Sequence, residues 1–119
     1  MNDIDNSDIS RIQKRMQDCT RKMNELAPRM GAAKQVREFS GDRRKQILAM
    51  EMVKGLKADM TVSAAEAFAR ASAEYAHEIN DQAQQLADAE TVIAEWSALE
   101  ASFEAARSLL SMAKSTLKL

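Results

Sequence analysis

The chain has 119 residues, a formal net charge of −1 at pH 7, and 45% hydrophobic residues of which few are aromatic. One proline and three glycines cannot furnish the turns of a β-sandwich or barrel, and the frequent Ala, Met, Glu, Lys and Gln favour helix. A total charge near zero excludes a function carried by bulk charge and leaves only its distribution to be read.

That distribution is divided. From Ile9 to Leu56 the chain carries twelve bases against five acids; from Asp59 to Ala106 it carries ten acids and one base, Arg70. The lone Cys19 excludes an intramolecular disulfide and fits a reducing compartment. No apolar run approaches the roughly 20 residues needed to cross a bilayer. The start of the chain is polar and acidic, unlike a signal peptide. The expectation is a soluble cytoplasmic protein without membrane association.

In chain order, residues 1–7 read as a frayed terminus. A first helix, kinked, is expected over 8–39. Its apolar positions Ile9, Ile12, Met16, Cys19, Met23, Leu26 and Met30 alternate steps of three and four, the heptad spacing of a narrow seam facing a partner helix. Ser7 or Asp8 can cap it. Pro28 and Gly31 place a kink or break near 27–31, with helix resuming through Val36 and Phe39. Ser40-Gly41-Asp42 reads as a loop, Asp42 capping the next helix.

A second helix is expected over 43–60, with Leu48, Met52, Leu56 and Met60 stepping by four along one face. Ser63 and Glu66 then have capping-box spacing and start a third helix over 64–117. Asn80-Asp81 is its weakest point, since no Gly or Pro lies between Leu56 and Leu119. Unbroken, it would be about 80 Å long. Its seam from Phe68 through Tyr75, Ile79, Ala83, Leu86, Ile93, Trp96 and Phe103 to Leu117 has irregular steps, which unwind and overwind a coiled coil locally. The expected fold is one all-α domain: an elongated helical hairpin or three-helix coiled-coil-like bundle with one long C-terminal helix. Helices this long exceed what one chain can bury, so a dimer or higher oligomer is expected.

Within the basic half, Arg15, Lys22 and Arg29 recur every seven residues; within the acidic half, Glu74, Asp81, Asp88 and Glu95 do the same. Such rails read as a pairing code between helices, within one chain or between two. Exposed pairs contribute only about 0–1 kcal/mol each, so the rails select partner and direction while apolar seams supply stability. The competing reading is nucleic-acid binding, with Arg11, Lys14, Arg15, Arg21, Lys22 and Arg29 neutralising phosphates. Phe39 is the one aromatic in that half, which gives little support for base stacking.

Little else carries chemistry. Glu74-x-x-His77 is half of a di-iron bundle motif, but the chain has one histidine; no metal, cofactor or catalytic residue is expected. Cys19 falls on the first seam and reads as a small core residue. Seven of the eight methionines lie in the first sixty residues and read mainly as core filling. Methionine also repacks easily, so a partner would dock there.

The stretch from Val53 to Tyr75, through Lys54, Thr61, Val62, Glu66, Ala67, Ala69, Ala71, Ser72 and Glu74, resembles small helical proteins of the early or recombination region of tailed phages. Trp96 and the segment Phe103–Ser108 are similar in style; the resemblance covers about half the chain. It implies a non-enzymatic phage accessory protein in the cytoplasm of a bacterial host, acting in DNA metabolism through an unidentified protein partner. The expected function is accordingly a protein-interaction module, with direct nucleic-acid binding through the basic half as the alternative.

Overall fold

A computed structural model describes residues 4–118, of which the side chain of Lys118 is left aside. The described chain is all-α: α1 (Asn6–Lys57), α2 (Val62–Ala71) and α3 (Ala73–Lys118). Of the terminus expected to fray, residues 1–3 lie outside the described part, while Asn6 and Ser7 are already helical. The N-cap, Asp5, lies two or three residues before the expected Ser7 or Asp8. Asp8 N–H donates to Asp5 Oδ1 at 3.0 Å and Asp5 N–H donates to Asp8 Oδ2 at 3.0 Å, a reciprocal box that satisfies two otherwise free donors.

The expected loop at Ser40-Gly41-Asp42 is absent: α1 runs through it without a break. No glycine takes positive φ. An isolated glycine weakens a helix by only about 1 kcal/mol. Burial of Leu26, Met30 and Ala33 on one side and Ile47 on the other outweighs that. Ser40 meets its own hydrogen-bonding need inside the helix, donating to the Arg37 carbonyl at 3.4 Å. Pro28 does not end α1 either. It is exposed, so the carbonyl it leaves free faces water. The separate helix expected over 43–60 is therefore the last part of α1.

α1 ends in a Schellman motif. Met60 N–H donates to Gly55 O at 3.2 Å and Asp59 N–H to Leu56 O at 3.1 Å. Asp59 takes the left-handed position, φ 64°, where glycine is usual and aspartate tolerated.

The third helix was expected to start at Ala64 and run unbroken. It starts at Val62, capped by Thr61 rather than Ser63: Ala64 N–H donates to Thr61 Oγ1 at 3.2 Å. Glu66 pairs instead with Arg70, 3.0 Å away. The helix then breaks at Ser72, whose ψ of 147° is extended. One hydroxyl serves both ends of the break, donating to Ala69 O at 2.8 Å and accepting from Tyr75 N–H at 3.1 Å. Serine can do this because its side chain competes for backbone groups. Asn80-Asp81 lies within unbroken α3.

Two compact units make up the chain: a terminal unit, Met1–Gly31 with Val92–Leu119, and a central unit, Ala32–Thr91. The terminal unit buries Cys19, Leu26 and Met30 from α1 with Val92, Ala106 and Ala113 from α3. All seven positions of the first seam are buried or half-buried. The central unit buries Ala33 and Ile47 with Ala65, Ala69 and Ala89, and two polar residues, Glu51 and Gln82. Its helices touch closely where Gly55 meets α2: a Cβ there would stand 3.1 Å from Ala65 Cα and Cβ.

Candidate interaction surfaces

In the terminal unit all six candidate bases, Arg11, Lys14, Arg15, Arg21, Lys22 and Arg29, are exposed. Arg11, Arg15, Lys22 and Arg29 flank the seam on one side and Lys14 and Arg21 lie on the side away from it, so burial of the apolar row turns all six to water. Arg21 pairs with Asp18 on its own helix at 3.6 Å, and Arg15 Nε donates to Ser102 Oγ on α3 at 3.3 Å. Lys22, Arg29, Glu25 and Glu95 line one shallow cleft with Leu26 and Leu99. One member of the acidic rail, Glu95, thus comes beside two of the basic rail. The other three, Glu74, Asp81 and Asp88, belong to the central unit, where none of the rail bases is found. No pair between the two rails is among the ion pairs of the described residues.

In the central unit, one ion pair among the described residues joins the helices. Arg37 forks onto Glu90, Nε to Oε1 at 2.6 Å and Nη2 to Oε2 at 2.5 Å, the bidentate geometry that suits guanidinium and carboxylate. This hydrogen bond, aided by the arginine charge, holds the Glu90 carboxyl below the usual glutamate range. Further along the unit, Arg43, Ile47, Met50 and Glu51 of α1 and Glu74, His77 and Glu78 of α3 line a groove of about 260 Å³. The order of these contacts, Arg37 with Glu90 and then Glu51 near Glu74, makes α1 and α3 antiparallel here.

The groove does not assemble a metal centre. Glu51 is buried and accepts from Lys54 Nζ at 2.8 Å; that bond raises the lysine pKa, with a smaller contribution from the charge of Glu74. His77 Nε2 lies 3.3 Å from Asp81 on its own helix. Among the described residues no group of three or more His, Cys, Asp or Glu is placed to hold a metal ion. Cys19 is free and buried.

What the sequence reading missed lies in the same unit. Gln82 is 6% exposed and its amide has no protein partner at either end. Conversely, Phe39 (53%), Met50 (63%), Val53 (46%), Leu56, Val62 and Phe68 are exposed. Val53 lies two residues from both Glu51 and Gly55, and so about 160° round the helix from the buried face. The signal was present: Phe39, Met50 and Val53 fall outside the Leu48–Met52–Leu56–Met60 row, which gives this part of α1 a second apolar face.

No protein-family model matches the sequence, and no curated protein or solved structure is significantly similar to it. Among the described residues no helix is long and apolar enough to cross a membrane.

Proposed function

We propose that the protein is a non-enzymatic interaction module whose contact surface lies in the central unit. One observation carries this reading: around a core of small residues and Ile47, polar groups are enclosed and large apolar ones are left out. The unit buries Glu51 and Gln82 while leaving Phe39, Met50, Val53 and Phe68 exposed. Several large apolar side chains left exposed on one unit contribute little to the stability of a lone chain, and together they offer a surface for another molecule. The module self-associates and binds a protein of DNA metabolism. The resemblance to phage early-region proteins supplies that setting, in the cytoplasm of a bacterial host. The test is affinity capture from host cells, infected and uninfected, with the wild type and with Phe39→Ser/Val53→Ser as baits. A replication or recombination protein retained by the first and lost by the second, at equal helicity, is expected. Identical recovery by both baits would contradict the placement of the surface.

A second reading, direct nucleic-acid binding, draws on the terminal unit. Arg11, Lys14, Lys22 and Arg29 are exposed and enter no ion pair among the described residues. Phosphate binding through them requires affinity for duplex DNA that falls steeply between low and physiological salt. A titration showing no binding at low salt removes this reading.

A further inference from the structure

Charge in the central unit is segregated by helix. The α1 portion, residues 32–57, has seven bases (Lys34, Arg37, Arg43, Arg44, Lys45, Lys54, Lys57) against three acids; residues 62–91 have one base, Arg70, against six acids. Most of this opposition is unused inside the chain. Arg43, Arg44, Lys45 and Lys57 enter no ion pair among the described residues, nor do Glu74, Glu78 and Asp88. Among the described residues, Asp81 pairs only with His77 of its own helix. The basic and acidic edges nonetheless border one face, since Arg43 and Met50 of α1 line the same groove as Glu74 and Glu78 of α3. Met50, on the same groove, is 63% exposed.

We infer that a second copy of this chain covers this face, related by a two-fold axis along the helices. This deepens the interaction reading above and rests on its self-association. The choice of axis follows from the charges. An axis parallel to the helices sets each α1 across from the partner's α3 and makes the sign alternate around the four helices. An axis perpendicular to them, lying in the interface, sets basic α1 on basic α1, which like-charge repulsion disfavours. In the parallel arrangement each helix keeps its level. Arg37 is level with Glu90, and Glu51 with Glu74 and Glu78. Arg43 of one protomer therefore comes level with Gln84 of the other, about one turn from Asp81 and from Asp88, and Met50 with His77, about one turn from Glu74 and next to Glu78. Burial of Met50 and of the exposed residues beside it supplies the affinity; the charges set which helix meets which.

Two variants test this by complementation. One reverses the basic edge, Arg43→Glu with Lys57→Glu; the other reverses the acidic edge, Glu74→Lys with Asp81→Lys. All four positions are exposed, and helicity is checked by circular dichroism. Sedimentation equilibrium of the wild type is expected to give a dimer. Each variant alone is expected to dissociate at least about tenfold more readily, because the reversed positions then face like charges across the interface. Mixed one to one, they are expected to form a heterodimer with affinity near that of the wild type. In that species the pairs are opposite only between protomers, so rescue within one chain cannot produce it. A dimer indifferent to both reversals, or a mixture no tighter than its components, overturns this face while leaving self-association intact. A wild type that stays monomeric at roughly 100 µM (far above the Kd of a stable complex) overturns the pairing and the self-association together. The partner-capture test remains separate.

Discussion

The terminal unit is built from α1 and α3 alone, the central unit from parts of both together with α2, and the two differ in what they bury. The terminal unit follows its heptad seam: Cys19, Leu26 and Met30 go in, no polar residue is among those buried, and its exposed large apolar residues, Leu109, Met112 and Leu117, lie towards the end of α3. The central unit encloses Glu51 and Gln82 and turns Phe39, Met50 and Val53 to water. A helix pair has only a thin core, and where the pattern is clean that core suffices. Where apolar residues occupy two faces of one helix, only one face can be buried by the chain itself. The remaining face stays exposed until another molecule covers it.

Substitutions can break this contrast. Leu26→Ala, in the terminal core at 4% exposure, is expected to destabilise by about 2–5 kcal/mol. Val53→Ser, on the outward face, is expected to change monomer stability by less than about 0.5 kcal/mol. Urea denaturation of both variants measures the difference, and comparable losses would make the outward face part of the monomer core. Glycines sharpen the same point. Gly41 has no neighbour within 4 Å of an added Cβ, whereas at Gly55 the backbone of Ala65 and the sulfur of Met60 stand 3.1 Å away. Gly41→Ala is expected to stabilise by about 1 kcal/mol. Gly55→Ala is expected to destabilise by about 1 kcal/mol, overpacking exceeding the gain in helix propensity. Thermal midpoints moving in the same direction would contradict the close α1–α2 contact.

A smaller effect is expected at Gln82. Replacing its unpartnered amide by Leu of similar size removes a desolvation penalty and should stabilise by up to about 1 kcal/mol. A clear loss on chemical denaturation would mean the amide has a partner, such as a bound water. The smallest effect is that of the exposed Arg37–Glu90 fork. Glu90 is held below its ordinary pKa mainly by the Arg37 hydrogen bond, so its contribution is present above the unfolded-state value. It is lost as pH falls through the lower folded value. Glu90→Gln should remove that part of the acid dependence of the thermal midpoint; an unchanged profile would show that the pair is not formed.

The helical class, the first seam and the weight of apolar contacts in the terminal unit were legible because period and composition agree there. Helix through Ser40-Gly41-Asp42 is not legible in the sequence, because these are turn-forming residues and it is burial at Ile47 that carries the helix through them. The break at Ser72 was invisible because neither Gly nor Pro marks it; one hydroxyl replaces the helical bonds. Thr61 rather than Ser63 caps α2, a two-residue error typical of helix ends. The seven-residue rails are present in the sequence, but spacing alone does not tell which unit each residue joins. Glu95 comes beside Lys22 and Arg29, whereas Glu74, Asp81 and Asp88 belong to the other unit.

Two methionines give the most direct measurement. Met50 in the central unit and Met112 in the terminal unit are exposed almost equally, 63% and 65%. Hydroxyl-radical footprinting from dilute to associating concentrations compares a residue on the proposed contact face with one off it. Protection of Met50 with concentration, while Met112 stays reactive, is the predicted result. Equal reactivity of both across the range, or protection of Met112 alone, would contradict the central unit as the contact surface.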